Sequence, residues 1–269
     1  MAENDRGAPV IAILTDFGTG DHFVAAVKGA ILTIEPSAKI VDITHDIGPH
    51  DIRSAGFSLW ACYRDFPNGT VFVCVVDPGV GSERKRIVHA AGGYLFVAPD
   101  NGLLSFIFDQ EEGETWEIEE GEYTSSRISG TFDGRDVFGP VGAHLAGGVP
   151  PSSIGKRLAD PERRSTGLRP VGFETAGSGL IVHIDRFGNL ITNLWPEDLA
   201  NRHSVEIAGT VITERRKYFG EGGSGGIFVI EGSTGLLEVA SNQSSAADAL
   251  GAGVGDVVSI VAADSRFGQ

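Results

Sequence analysis

Two residues seven positions apart carry the first chemical signal. In VVDPGVGSERK an apolar run ends at Asp77, a Pro-Gly turn reverses the chain, and Arg84 follows at a distance that lets it fold back onto the carboxylate. Such a pair can hold charge in a pocket, and it can equally be a salt bridge that stabilises its own loop. In ILTDFGTGD a second apolar run delivers Asp16 into a glycine turn that presents Asp21. Ligands of open α/β sheets settle at the carboxyl ends of strands, but acids placed there also cap helices and fill turns. A third segment, SGTFDGRDVFGPVGAHLA, crowds Asp133, Arg135 and Asp136 around a glycine turn ahead of a helical pattern, with Asp136 placed to cap that helix. A fourth, HIDRFGNLITNL, sets Asp185, Asn189, Thr192 and Asn193 around a turn. An asparagine amide both donates and accepts, as an adenine edge requires, although a hairpin turn accounts for the same residues.

The elements that must position these groups fall into two textures. From Val10 to about Leu145, β-rich runs (VIAIL, KIVDI, TVFVCVV, YLFVA) alternate with helix-like stretches at 22–34 and 51–63. In the first of these Val24, Val27, Lys28, Ile31 and Leu32 recur at helical spacing until Glu35-Pro36 ends the pattern, and Pro49 marks the start of the second. This alternation predicts a mostly parallel sheet with crossover helices. From Gly147 to about Gly179 the chain turns rich in Pro, Gly, Ser and Arg, and short strand patterns with glycine turns follow. The expected organisation is an α/β N-terminal domain over 1–165, a linker at about 148–178, and a smaller all-β, barrel-like C-terminal domain over 170–269. Within the latter, GEGGSGG at 220–226 lacks the GK[ST] of a phosphate loop and reads as a mobile surface loop. No internal repeat is found.

Composition excludes several classes. The chain has 269 residues, 41% hydrophobic and 21% charged, which are globular values, and no apolar run approaches the ~18 residues of a membrane span. The first ten residues, MAENDRGAPV, lack a secretory layout, so a cytoplasmic protein is expected. A formal charge of −15 argues against a nucleic-acid partner, and the short basic runs at 84–86, 163–164 and 215–217 read as solvated faces. Cys62 and Cys74 fit neither a metal motif nor a disulfide framework and read as core thiols. No His, Cys and carboxylate grouping has metal-ligand spacing, so no metal is expected.

Taken together and in order, ILTDFGTGD, VVDPGVGSERK, APDNGLL, TFDGRDVFGPVGAHLA, IDRFGNLITN and EGSTGLLEVASNQSSAA resemble the S-adenosyl-L-methionine hydroxide adenosyltransferases, relatives of the fluorinating and chlorinating enzymes. The resemblance covers nearly the whole chain. It implies that hydroxide displaces methionine at ribose C5′ of S-adenosylmethionine, giving adenosine and L-methionine with no cofactor. The sulfonium leaves readily. Water, with a pKa of about 15.7, must instead be activated and aligned with the C–S bond.

In the family an Asp, an Arg and a His are held to do this; Asp77 and Arg84 match the first two. Where relatives resembling TFHGRD have His, this chain has Asp133, and none of its seven histidines falls there. A second carboxylate facing Asp77 brings like-charge repulsion that favours a shared proton, while Arg84 favours two ionised acids. By resemblance Asp16 accepts both ribose hydroxyls, Asp21 and Asp185 face the methionine ammonium, and Ser233 lies near its carboxylate, with Thr234 where some relatives carry Arg. Asn189 reads the adenine edge, Phe187 and Tyr218 form aromatic walls, and His50 stands where halogenating relatives place a large aromatic residue. Val80 and Gly134, which match the halide pocket, offer no side-chain donor, so hydroxide is favoured over halide. The resemblance further implies a homotrimer with sites shared between the amino-terminal domain of one subunit and the carboxyl-terminal domain of its neighbour. Two other readings remain at this point: a non-catalytic binder of S-adenosylmethionine or adenosine, and a halide-using 5′-halo-5′-deoxyadenosine synthase.

Overall fold

A computed structural model describes residues 7–126, 130–168, 177–199 and 203–262. The chain divides into two compact units, Met1–Ser165 and Thr166–Gln269.

The first unit is built on a seven-stranded sheet with β1 (Val10–Thr15), β2 (Lys39–Thr44), β3 (Val71–Val75), β4 (Arg86–Ala91), β5 (Tyr94–Pro99), β6 (Gly113–Ile118) and β7 (Gly155–Leu158) in the order β2-β1-β3-β5-β4-β6-β7. β2, β1, β3 and β5 run parallel, while β4, β6 and β7 add antiparallel pairings. The sheet is therefore parallel only on the side that holds β1 and β3. The turn from β4 to β5 is the two-glycine hairpin Gly92-Gly93, both residues at positive φ, as such a tight reversal requires.

Helices α1 (Phe23–Ile34) and α2 (Ile52–Cys62) are the crossovers. The side chain of Asp51 caps α2 by accepting from the Ser54 N–H. One face of the sheet buries Ile11, Ile13, Val71, Val73 and Val75 against Val27 and Ile31 of α1 and Val141 of α4 (Gly139–Ala146). Elsewhere in the unit α2, the short α3 (Ser105–Phe108), β3 and β5 bring together aromatic rings, among them Phe57, Trp60, Phe106 and the stacked pair Phe72 and Phe96. Residues expected to be linker instead form α5 (Pro151–Ile154) and β7, the latter paired with β6, because their backbone groups complete a sheet edge. Residues 169–176 of that expected linker lie outside the described residues.

The second unit is an antiparallel sheet of β8 (Ser178–Ile184), β9 (Leu190–Thr192), β10 (His203–Ile207), β11 (Thr210–Ile212), β12 (Ile227–Glu231), β13 (Leu237–Ser241) and β14 (Val257–Ala262) in the order β11-β10-β14-β8-β9-β13-β12. A bridge from Arg215, just past β11, to Val229 of β12 brings the two ends together, so the sheet is nearly closed into a barrel. Its interior holds Ile181, Leu190, Val205, Ile207, Val229, Val239 and Val258 beneath α6 (Ala246–Leu250). The glycine-rich stretch 220–226 is tied down rather than free: the Asn242 amide donates to the Gly222 carbonyl, and Gly225 N–H donates to that of Asn242.

Candidate active site

Asp16 and Asp77 follow neighbouring parallel strands. β1 and β3 pair in register from Ile11↔Val71 to Thr15↔Val75, so the loops that carry the two acids leave the same end of the sheet. β1 lies between β2 and β3 in that sheet, which is the topological switch point where α/β sheets open a crevice.

The loop after β3 folds back as the spacing allows. Arg84 Nε donates to Asp77 Oδ1 at 2.8 Å and its Nη2 donates to Asp77 Oδ2, a bidentate pair. The same Nη2 donates to Asp133 Oδ2 at 2.5 Å. All three side chains are nearly inaccessible, with exposures of 5% for Asp77, 9% for Arg84 and 3% for Asp133. Gly81 allows the two loops to meet: its φ is +78°, and a Cβ there would stand 2.5 Å from the Gly130 carbonyl oxygen. The Asn101 amide, in the APDNGLL segment, donates to the Val76 carbonyl and holds the end of β3 from the other side.

Asp133 leads into one turn of π-helix, Gly134–Phe138, closed by the Gly139 N–H donating to the Gly134 carbonyl, and α4 continues from it. Such bulges recur at functional sites because the extra residue re-aims the side chains at the helix start. Asp136 is consequently not a helix cap. It lies inside this turn, buried, and accepts from Arg135 Nε at 2.6 Å and Nη2 at 2.9 Å.

Sequence reasoning missed Arg86. Read as part of a solvated basic run, Arg86 instead places Nε 3.5 Å from Asp133 Oδ2 and donates from Nη2 to Glu120 at 3.0 Å. Lys85 between them, just before β4, reaches 3.8 Å toward Glu117 and stays half exposed, so the run splits into one outward and two inward cations. The result is an alternating row Asp77, Arg84, Asp133, Arg86, Glu120. Burial opposes the charge on Arg84, but the bonds and charges of Asp77 and Asp133 outweigh it and hold the guanidinium above its ordinary range. Arg84 Nη1 and Arg86 Nη1 are buried with no hydrogen-bond partner.

Asp16 is half-buried and accepts the His50 N–H at Oδ2, 2.9 Å away. His50 meets it through its backbone at φ +67°, while the residue itself is exposed. Asp21 stands exposed beyond the glycine turn.

In the second unit Asp185 organises its own turn. Its Oδ1 accepts the N–H groups of Phe187 and Asn189 at 2.8 and 2.9 Å, and its Oδ2 accepts the Asn189 amide at 2.8 Å. Gly188, at φ +80°, packs against Ser245 where no side chain fits. A cavity of about 490 Å³ opens beside this turn, lined by Phe187, Asn189, Phe219, Ser241, Asn242 and Gln243 among others. Asn189 Oδ1 and Ser241 Oγ are both buried without partners. Ser241 was not expected; its place at the end of β13 carries no local signal.

Phe187 is 76% exposed and Tyr218 61% exposed, and Ser233 is exposed in the turn from β12 to β13. Beneath that turn lies Glu238, buried, with its carboxyl against Gly232. Burial, and then the charge of Asp185, push the Glu238 carboxyl up to about 7. Among the described residues no three His, Cys, Asp or Glu side chains group as a metal site, and no helix is long and apolar enough to cross a membrane.

An α/β domain with a carboxylate and guanidinium cluster at its strand ends, joined to a nearly closed β domain with an aromatic, amide-lined cavity, defines a class of two-domain small-molecule proteins. The chain belongs to the SAM hydroxide adenosyltransferase family, matching its N-terminal domain over residues 11–155 and its C-terminal domain over residues 179–259. It is 37% identical over 249 residues to the (R)-S-adenosyl-L-methionine hydrolase of Thermus thermophilus, covering 90% of this chain and 95% of that protein. A fluorinase of Actinoplanes sp. is 32% identical over 222 residues, covering 72% and 74%. Among solved structures, that of an uncharacterized conserved protein from Thermotoga maritima matches with a TM-score of 0.84 at 36% identity, over 93% of this chain and 99% of that one.

Proposed function

We infer that this protein is an enzyme that hydrolyses S-adenosyl-L-methionine by attack of hydroxide at ribose C5′. The C5′–S bond breaks with its electron pair going to sulfur, a C5′–O bond forms, and adenosine, L-methionine and a proton leave. The observation that carries the reading is membership of the family across both domains together with the buried Asp77, Arg84 and Asp133 cluster at the end of β3. The hydrolase of Thermus thermophilus is also more similar to the chain than the fluorinase of Actinoplanes sp..

In this reading Arg84 is not the base, since its two carboxylate partners hold it protonated. Its unpartnered Nη1 is the donor that holds the attacking water, and Asp77 and Asp133 are the acceptors that take the water proton as the C–O bond forms. Asp133 thus fills with a carboxylate the place that His holds in relatives, and Arg86 supplies the extra positive charge this exchange calls for.

Asp16 takes the ribose hydroxyls with its oxygens, one of which is already fixed by His50. Asn189 Oδ1 and Ser241 Oγ, buried and unpartnered beside Phe187, are matched to the edge of adenine. Tyr218 is the second aromatic wall, Asp21 and Asp185 face the ammonium, and Ser233 the carboxylate. The protein works without cofactor or metal, in the cytoplasm, as a homotrimer with sites between subunits. Activity should therefore survive a chelator, and a monomeric mass with full activity would refute the shared site.

A second reading, a non-catalytic binder, is favoured by one observation: Arg84 is neutralised by two carboxylates instead of one. Purified protein incubated with S-adenosylmethionine separates the two. Release of adenosine supports the enzyme, whereas binding without release, restored to turnover by Asp133→His, supports the binder. The same incubation with chloride or fluoride should give no 5′-halo-5′-deoxyadenosine.

A further inference from the structure

We propose that His45 is a positioning residue for Asp16, acting through Thr15 and backed on its far side by Asp42, which Lys28 holds in turn. The inference rests on the reading of Asp16 as the ribose-binding carboxylate. β2 does not pair evenly with β1: Ile13 faces Asp42 but Leu14 faces Thr44, so one extra residue, Ile43, is accommodated in β2. A bulge of this kind re-aims the side chains that follow it, and here it brings His45 against the last residue of β1.

Thr15 and His45 are buried, 1% and 5% exposed, and Thr15 Oγ1 lies 2.8 Å from His45 Nδ1. Phe17 N–H donates to Thr15 Oγ1 at 3.2 Å, and Gly18 N–H donates to the His45 carbonyl at 2.8 Å. Asp16 is therefore bracketed by three residues of its own turn that are tied to His45, directly or through Thr15. On the outer side His45 Nε2 lies 3.1 Å from Asp42 Oδ1, obliquely, and Asp42 Oδ2 accepts from Lys28 Nζ at 2.7 Å.

The Phe17 N–H occupies one lone pair of Thr15 Oγ1, which leaves the hydroxyl one donor and one further acceptor position toward His45 Nδ1. His45 Nε2, buried and without a hydrogen bond of its own, faces the carboxylate of Asp42. Burial raises the Asp42 carboxyl, but the bonds and charges from Lys28 and His45 prevail and hold it below its ordinary range, ready to accept. The imidazole, set between Thr15 and Asp42, is held in one orientation, and through Thr15 it fixes the strand end from which the Asp16 carboxylate projects.

The test is a double-mutant cycle read by calorimetric Kd for adenosine, with KM and kcat for S-adenosylmethionine alongside. Thr15→Val removes the hydroxyl and keeps the shape; it should weaken adenosine about tenfold and raise KM equally, with kcat within about twofold, while Thr15→Ser restores both. In an Asp16→Asn background, Thr15→Val should add less than about twofold, because both changes act on one contact. Lys28→Met, at the accessible outer end of the row, should weaken adenosine about twofold, and it covers the case in which Thr15→Val fails to fold. An undiminished Thr15→Val effect in the Asp16→Asn background overturns the proposal and leaves the ribose reading intact, as does Kd unchanged in both Thr15→Val and Lys28→Met. An Asp16→Asn variant that binds adenosine like the wild type overturns the ribose reading, and the proposal with it.

Discussion

The charged cluster of the first domain and the open groups of the second are held in opposite ways. In the first, Asp77, Arg84 and Asp133 are buried and bonded to one another. In the second, Phe187, Tyr218 and Ser233 stand in solvent, and Asp185 spends its oxygens on its own turn. Charges that must meet a developing transition state act best when fixed in advance in a low-dielectric setting, which the first domain provides before any ligand arrives. Phe187, Tyr218 and Ser233 have no such preparation, so changing them should cost little stability.

That contrast is broken most directly at Arg84. Arg84→Met leaves two buried carboxylates without their cation, and removing one partner of a buried ionic cluster costs about 3 kcal/mol or more of stability. Hydrolysis of S-adenosylmethionine should fall at least about 10³-fold, the size of a lost transition-state donor, and denaturant unfolding should show the loss of stability. Ser233→Ala should leave unfolding unchanged and alter KM by less than about fivefold. Comparable losses in both variants would erase the distinction between the domains.

Acid and base should separate the domains next. Burial, with the Arg163 charge adding to it, lowers His89 on β4 from its ordinary 6.5 to about 4. The unfolded chain therefore binds the extra proton first, so the stability His89 supports is complete above pH 6.5 and is lost as pH falls toward 4. Glu238 on β13 is shifted the other way, from 4.5 to about 7. Here the folded chain holds the extra proton, so stability is complete below pH 4.5 and declines as pH rises to 7. Each effect reaches about 3 kcal/mol at most. Hydrogen exchange should show β4 amides opening on acidification and β13 amides on alkalinisation, and His89→Gln and Glu238→Gln should each flatten its own trend alone.

Smaller effects belong to single binding contacts. Asp16→Asn should weaken adenosine about 30-fold, since hydrogen bonds to a charged group are worth about 2 kcal/mol. Phe187→Ala should weaken it about fivefold, from the loss of one ring face, with no change in melting temperature. A larger loss at Phe187 than at Asp16 would mean that recognition rests mainly on the open, aromatic domain.

Much of this was legible in the chain, for identifiable reasons. The seven-residue spacing of Asp77 and Arg84 around a Pro-Gly turn announces a pair, and the pair forms. Asp133 has no local signal toward Arg84; its part came from the resemblance, and its contact depends on the close approach at Gly81. Arg86 was hidden because a basic run shows no register until its strand is paired. Asp136 reads as a cap in the sequence because a π-turn differs from an ordinary helix start by one residue. His45 was silent because the bulge that aims it exists only between two strands. The antiparallel half of the first sheet was partly readable, since Gly92-Gly93 between two apolar runs is a hairpin signature.

Hydrolysis in water enriched with ¹⁸O tests the central claim most directly. Purified protein given S-adenosyl-L-methionine should release equal amounts of adenosine and L-methionine, with one ¹⁸O per adenosine, located by mass spectrometry at the ribose 5′ oxygen. Absence of adenosine, or adenosine without the label at that oxygen, would contradict hydroxide attack at C5′.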